Sequence, residues 1–160
     1  MSTLQQHRAA IVAALASVPD IGHVHDRERY ASNEAAFRAM YLYTPTTSTG
    51  GTAHLRGWWL RRSATREHSP NVARSINAHT WTVRGYLAFA DAQASELLLD
   101  DLVEQFRAVV RADPTLGGVV QPGPLDESED GVQVTDAGPV HFAGVLCHSV
   151  VLSLTTWSYL

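Results

Sequence analysis

The 160-residue chain contains no lysine: all 12 of its basic residues are arginine. Against 16 acidic residues they leave a net charge of −4, which argues against a dedicated DNA binder, whose affinity would rest on a basic surface neutralising phosphates. A single cysteine, Cys147, excludes an intrachain disulfide and a cysteine-based zinc site; in its apolar alternating stretch it reads as a small buried hydrophobe. No apolar run reaches the length of a membrane span, and Gln5, Gln6, His7 and Arg8 stand where a signal peptide would carry its apolar segment. No serine sits in a Gly-x-Ser-x-Gly elbow. Gly50-Gly51 lacks the lysine and following helix of a phosphate loop, and Gly117-Gly118 follows a helix instead of preceding one.

What is present fits one domain spanning residues 1–160, since 45% hydrophobic content at this length supports a real core. Leu4, Arg8, Ile11, Leu15 and Val18 recur at spacings of three and four among alanines, predicting a helix from Thr3 to Val18 that Pro19 and Gly22 end. A short strand is expected from Ile21 to Arg27. Phe37, Ala39, Tyr41 and Tyr43 alternate, so Ala35 to Tyr43 is read as a strand, although its alanines would also serve a helix. The polar run 44–52 becomes a flexible hairpin tip, and His54 to Arg62 the strand after it, with Ser63 to Ser75 as a loop. A strand around His79 to Tyr86 leads into the firmest element, a helix from Glu96 to Arg111 with Leu98, Leu99, Leu102, Val103, Phe106, Val109 and Val110 on one stripe. The acidic loop 119–131 follows, then strands at Val132 to Thr135 and Val140 to Thr156, with Thr155 to Leu160 bending away or protruding. Helices flanking hairpin-connected strands predict an α+β fold: a mainly antiparallel sheet with two helices packed on one face and a long β-hairpin insertion.

Few residues suggest chemistry. His23 and His25 alternate onto one side of a strand and offer the start of a metal site for a small metal-dependent enzyme; His141 and His148 would complete it only if their strand folded back, because seven residues span about 23 Å. Asp26, Glu28 and Glu34 offer carboxylates, and Ser63, Ser69 or Ser75 a hydroxyl beside His68 or His79, without an assembled catalytic motif. Trp58-Trp59 with Arg61-Arg62 could stack on single-stranded nucleic acid, but such platforms bring more basic charge. Consecutive tryptophans put a large aromatic on both faces of one strand, which calls for a central position or a partner.

The joints between elements carry a resemblance. The stretches -Val18-Pro19-Asp20-Ile21-Gly22-His23-Val24-His25-Asp26-, -His79-Thr80-Trp81-Thr82-Val83-Arg84-Gly85-Tyr86-, -Ala112-Asp113-Pro114-Thr115-Leu116-Gly117-Gly118- and -Val140-His141-Phe142-Ala143-Gly144-Val145-Leu146-Cys147-His148-Ser149-Val150-, in that order, resemble the tail terminator proteins of tailed bacteriophages. The likeness covers Leu4 to Arg29 and Ile76 to Trp157. It implies a virion structural protein that is no enzyme and needs no cofactor: a ring, as a rule a hexamer, that caps the tail tube and ends its polymerisation. Implied partners are further copies of the chain, the tail tube protein, the head-completion or stopper protein, the tail sheath where tails contract, and genomic DNA passing through the lumen without sequence-specific binding. No membrane is implied, and the chain would occupy the host cytoplasm during assembly and the virion neck afterwards. A head-tail stopper or minor tail protein is the alternative within this class. Under the resemblance, Trp58, Trp59, Arg61, Arg62, Trp157 and Tyr159 are interface candidates, and Asp126, Glu127, Glu129 and Asp130 lumen candidates whose negative charge would repel passing phosphates. The arginine-rich first half and acidic second half would supply the two unlike patches that a ring requires.

Overall fold

Ser2 and Gln5 open the first helix with a reciprocal cap: Ser2 Oγ accepts from the Gln5 N–H at 3.3 Å, and Gln5 Oε1 accepts from the Ser2 N–H at 3.1 Å. In the computed structural model, which describes residues 1–46, 51–124 and 131–160, this helix, α1, spans Thr3–Ala16 and buries His7, Ile11 and Leu15. The strongly amphipathic helix α3 (Ser95–Ala112) buries Leu99, Leu102, Val103, Phe106 and Val110 on one side and leaves Glu96, Asp100, Asp101 and Glu104 in water. Both helices pack into one core with Trp58, Leu60, Trp81, Val83, Val150, Leu152 and Leu154 of the sheet. The fold is therefore α+β, with two helices on one face of a mainly antiparallel sheet.

Six strands build that sheet: β1 (His23–His25), β2 (Leu42–Tyr43), β3 (His54–Asn71), β4 (Arg74–Ala88), β5 (Gln133–Phe142) and β6 (Val145–Tyr159). Their order is β1-β3-β4-β6-β5, with β2 paired to the start of β3. All pairings are antiparallel except β1 with β3, where His23, Val24 and His25 run parallel to Gly57, Trp58 and Trp59. On the opposite face a smaller aromatic core gathers Tyr41, Leu55, Trp59, Tyr86 and Cys147, with Phe37 and Phe142 against it. Tyr86 and Phe142 stack there at 3.7 Å between ring centroids.

Four sequence-based expectations change. Of Ala35 to Tyr43, expected as strand, only Leu42–Tyr43 is one; the first part belongs to the helix α2 (Glu34–Ala39), where Asn33 caps by accepting from the Ala36 N–H at 2.8 Å and Glu34 pairs with Arg38 one turn on at 2.7 Å. Ser63 to Ser75, expected as a loop, is strand as far as Asn71 and again from Arg74, because the β3 backbone keeps its ladder with β4 to the pair Asn71–Arg74. The long hairpin of this protein is therefore β3–β4. The expected insertion pairs only Leu42 with Leu55 and Tyr43 with His54, and positions 47–50 of its tip lie outside the described residues. Val140 to Thr156 is not one strand, since a turn at Ala143-Gly144, both at positive φ, folds it into β5 and β6. Finally, Thr155 to Tyr159 neither bends nor protrudes: it stays in register against Ile76 to Thr80.

Candidate assembly surface

Strand β3 changes character halfway along. From Leu55 to Leu60 every residue is buried; from Arg61 to Asn71 all eleven are exposed. The cause is topological, since β2 and β1 flank only His54 to Trp59, and among the described residues no strand pairs with the outer side of the remainder. A bulge at Ser63, where Arg62 pairs with Trp81 and Ala64 with Thr80, resets the alternation. Arg62 thus stands on the helix-covered face, and Arg61 and Arg66 on the other. A long free edge ordinarily invites further pairing, and charged side chains along it limit indiscriminate association.

The tryptophans named as interface candidates are internal. Trp58 is 1% exposed, with its indole N–H donating to the Ile21 carbonyl at 2.8 Å, and Trp59 is 3% exposed in the second core. Trp157 lies under the segment leading from α3: a Cβ on Gly123 would stand 2.6 Å from its indole nitrogen, and the Gln121 N–H donates to its carbonyl. Alternation does send Trp58 and Trp59 to opposite faces, but this sheet has a core on each. Tyr159 is half-buried and donates to the Pro122 carbonyl at 2.9 Å. Of the six candidates, Arg61 and Arg62 are the exposed ones, Arg61 lying 5.6 Å from the Trp59 ring and 3.5 Å from Glu28. The lumen candidates Asp126, Glu127, Glu129 and Asp130 lie outside the described residues.

The histidines serve the fold. His23 Nε2 lies 2.7 Å from the Leu42 carbonyl and His25 Nε2 3.0 Å from that of Met40, so both rings tie β1 to the segment after α2. The β5–β6 turn does bring His141 and His148 onto neighbouring strands, yet His148 Nε2 is engaged by Ser95 Oγ at 2.8 Å, and among the described residues no group of three potential ligands could hold a metal ion. Ser95 Oγ also accepts from the Ala90 N–H, fastening the β4–α3 turn to β6, a contact that residues 53 positions apart gave no means of anticipating. None of the anticipated serine–histidine pairs forms: Ser63 donates to the Thr80 carbonyl, Ser69 bonds Ser75, and His79 bonds Thr65.

Beneath the β3–β4 ribbon lies a buried polar network that patterning did not reveal. Thr156 Oγ1 accepts from Trp81 Nε1 at 2.8 Å and lies 2.9 Å from His7 Nδ1, whose ring meets His79 edge-on at 5.7 Å. Burial lowers the pKa of His7, helped by the neighbouring His79, while the Val119 backbone offsets part of the shift without completing a hydrogen bond of good geometry to Nε2. Burial also lowers His79, and the Arg62 charge adds to it. Burial alone pushes the Cys147 thiol up to about 11, an inert group packed as a hydrophobe.

Charge separates along the chain. Residues 1–90 hold ten arginines and five carboxylates, whereas residues 91–160 hold two arginines and eleven carboxylates. Among the described residues after 90, Glu96, Asp100, Asp101 and Glu104 are exposed on α3, whereas β5 and β6 carry a single carboxylate, Asp136. No protein-family model matches the chain, and no curated protein matches it. Among the described residues no helix is long and apolar enough to cross a membrane, which says nothing about β-barrels.

Proposed function

We propose that this chain is a virion structural protein, a tail terminator, which closes into a hexameric ring on the end of the tail tube, stops its polymerisation and joins it to the head-completion proteins. The observation that carries the reading is the distal half of β3: eleven consecutive strand residues, exposed on both faces and unpaired along one edge, are surface that the isolated fold does not use. The order of elements at the joints that resemble tail terminators supports it, and so does the separation of charge along the chain, arginine-rich up to residue 90 and acidic after it. In this reading the chain makes and breaks no bond; its partners are its own copies, tube protein, stopper, sheath where tails contract, and DNA threaded through the lumen.

The test is polymerisation of tail tube protein with and without this chain, followed by electron microscopy. Tubes that stop growing and carry added density at one end are expected. Unaltered growth with bare ends would reject the reading, and density in the neck beyond the tube end, or elsewhere on the tail, would assign the chain to the stopper or minor tail proteins instead.

A further inference from the structure

Between the start of β3, the end of β4 and helix α3 lies a cleft of about 660 Å³, within the size range of sites that enclose a small molecule. Leu87, Phe89, Leu98 and Leu102 give it apolar walls, and Gln93 and Gln105 line it from exposed positions. Arg56 lines it too, although that residue is only 4% exposed. Its guanidinium is fixed in place: Nε donates to His54 Nε2 at 3.1 Å, Nη1 donates to the Asp20 carbonyl at 2.7 Å, and the group lies 5.8 Å from the centre of the Tyr43 ring. Because His54 Nε2 accepts, the ring hydrogen is on Nδ1, which donates to the Thr52 carbonyl at 3.1 Å. Gly22 leaves room for the stem, since a Cβ there would stand 2.7 Å from Arg56 Cγ.

A guanidinium carries five N–H donors, and the two hydrogen bonds above use two of them; the others meet no acceptor among the described residues. Burying a charge is costly unless it is paired and hydrogen-bonded. Desolvation lowers the Arg56 pKa, and the Asp20 carboxylate and Tyr43 offset only part of that. The Asp20 carboxylate itself accepts from the Tyr43 hydroxyl at 2.9 Å and from the Thr46 N–H at 2.8 Å. We propose that this cleft binds a small-molecule monocarboxylate with an apolar body, its carboxylate on the remaining N–H groups of Arg56 and its body against Leu87, Leu98 and Leu102. The planar fork of arginine matches a carboxylate in two parallel hydrogen bonds. A phosphate dianion would need further cations, whereas Arg56 is the one arginine of the lining and Asp20, its one acidic residue, would repel a second negative charge. An amine would meet the guanidinium with like charge. The site goes beyond the ring reading and stands or falls independently of it.

The experiment is isothermal titration of the full chain with octanoate, acetate, octylamine and inorganic phosphate. Octanoate should saturate one site per chain and bind about tenfold or more tighter than acetate, because only octanoate fills the apolar walls. Octylamine and phosphate should show no saturable binding. Arg56→Gln should weaken octanoate about tenfold or more, the usual loss of a charge-assisted hydrogen bond. Arg56 also ties β3 to Asp20, so should that variant misfold, Gln105→Trp replaces it: the exposed α3 position leaves the core intact while the indole narrows the cleft, and a similar weakening is expected with parental circular dichroism. Absence of saturable octanoate binding would overturn the proposal. So would octylamine or phosphate binding as tightly as octanoate, or parental octanoate affinity in the folded Arg56→Gln or Gln105→Trp variant.

Discussion

Trp58 lies flat over Gly85, its partner across the β3–β4 ladder: a Cβ built on Gly85 would stand 2.3 Å from the indole ring. The closeness is possible only without a side chain at 85, and it fixes the indole where its N–H reaches the Ile21 carbonyl. Gly85→Ala should force the ring aside and destabilise the fold by about 1–3 kcal/mol, the usual cost of overpacking a core. Urea denaturation followed by tryptophan fluorescence measures it; an unchanged midpoint would mean that the indole is not held as described.

Thr156 serves two buried donors or acceptors at once, the Trp81 indole and the His7 imidazole. Thr156→Val keeps the shape and removes the hydroxyl, leaving a buried N–H without a partner. A loss of about 1–3 kcal/mol is expected, whereas Thr156→Ser, which retains the oxygen, should lose less. Equal losses for the two would shift the cause from the hydrogen bonds to the methyl group.

The pH dependence follows from His7 and His79, both shifted below the ordinary histidine value of about 6.5. Because their folded pKa values are the lower ones, the unfolded chain binds more protons near neutral pH and below. Stability is then full above about 6.5 and declines as the pH falls through that value toward the folded pKa values. His25, lowered mainly by burial, adds to the same slope. Thermal melts at pH 7.5 and 5.5 should show the loss, and His7→Gln should flatten part of it; a profile flat across this range would contradict the assignment of neutral buried imidazoles.

The β5–β6 turn places Ala143 at φ 50° and Gly144 at φ 72°. A left-handed backbone suits glycine or asparagine in a two-residue hairpin and strains alanine. Ala143→Asn is expected to raise stability by up to about 1 kcal/mol, part of the left-handed penalty borne by alanine. Gly144→Ala should do the reverse, since φ 72° strains any residue with a Cβ. Differential scanning calorimetry of the two variants separates these outcomes by sign.

Legibility in the sequence tracked how far each residue's environment is set locally. The spacing of Leu99, Leu102, Phe106 and Val110 announces α3, and alternation at Trp81 and Val83 announces β4, because each has one apolar and one wet side. Residues 63–71 gave no such signal: a strand wet on both faces has no period to read, so its polarity passed for a loop. Around α2, Phe37 and Tyr41 are four apart, which suits a helix face, yet they also fall on an alternating series, and the Asn33 cap decided the matter. Likewise, both faces of the tryptophan pair proved internal, because a second core under α2 covers the face that alternation turns away from α1 and α3. The arginines could be seen in the sequence; that Arg61, Arg62 and Arg66 fall on the outer half of β3, beyond its pairing with β1, required the sheet order.

Cryo-electron microscopy of tail tubes assembled with this chain tests the proposed ring without an intermediary. Six copies of 17.5 kDa, about 105 kDa in all, should cap one end of each tube. Bare tube ends, together with a lone 17.5 kDa particle in solution, would contradict the account.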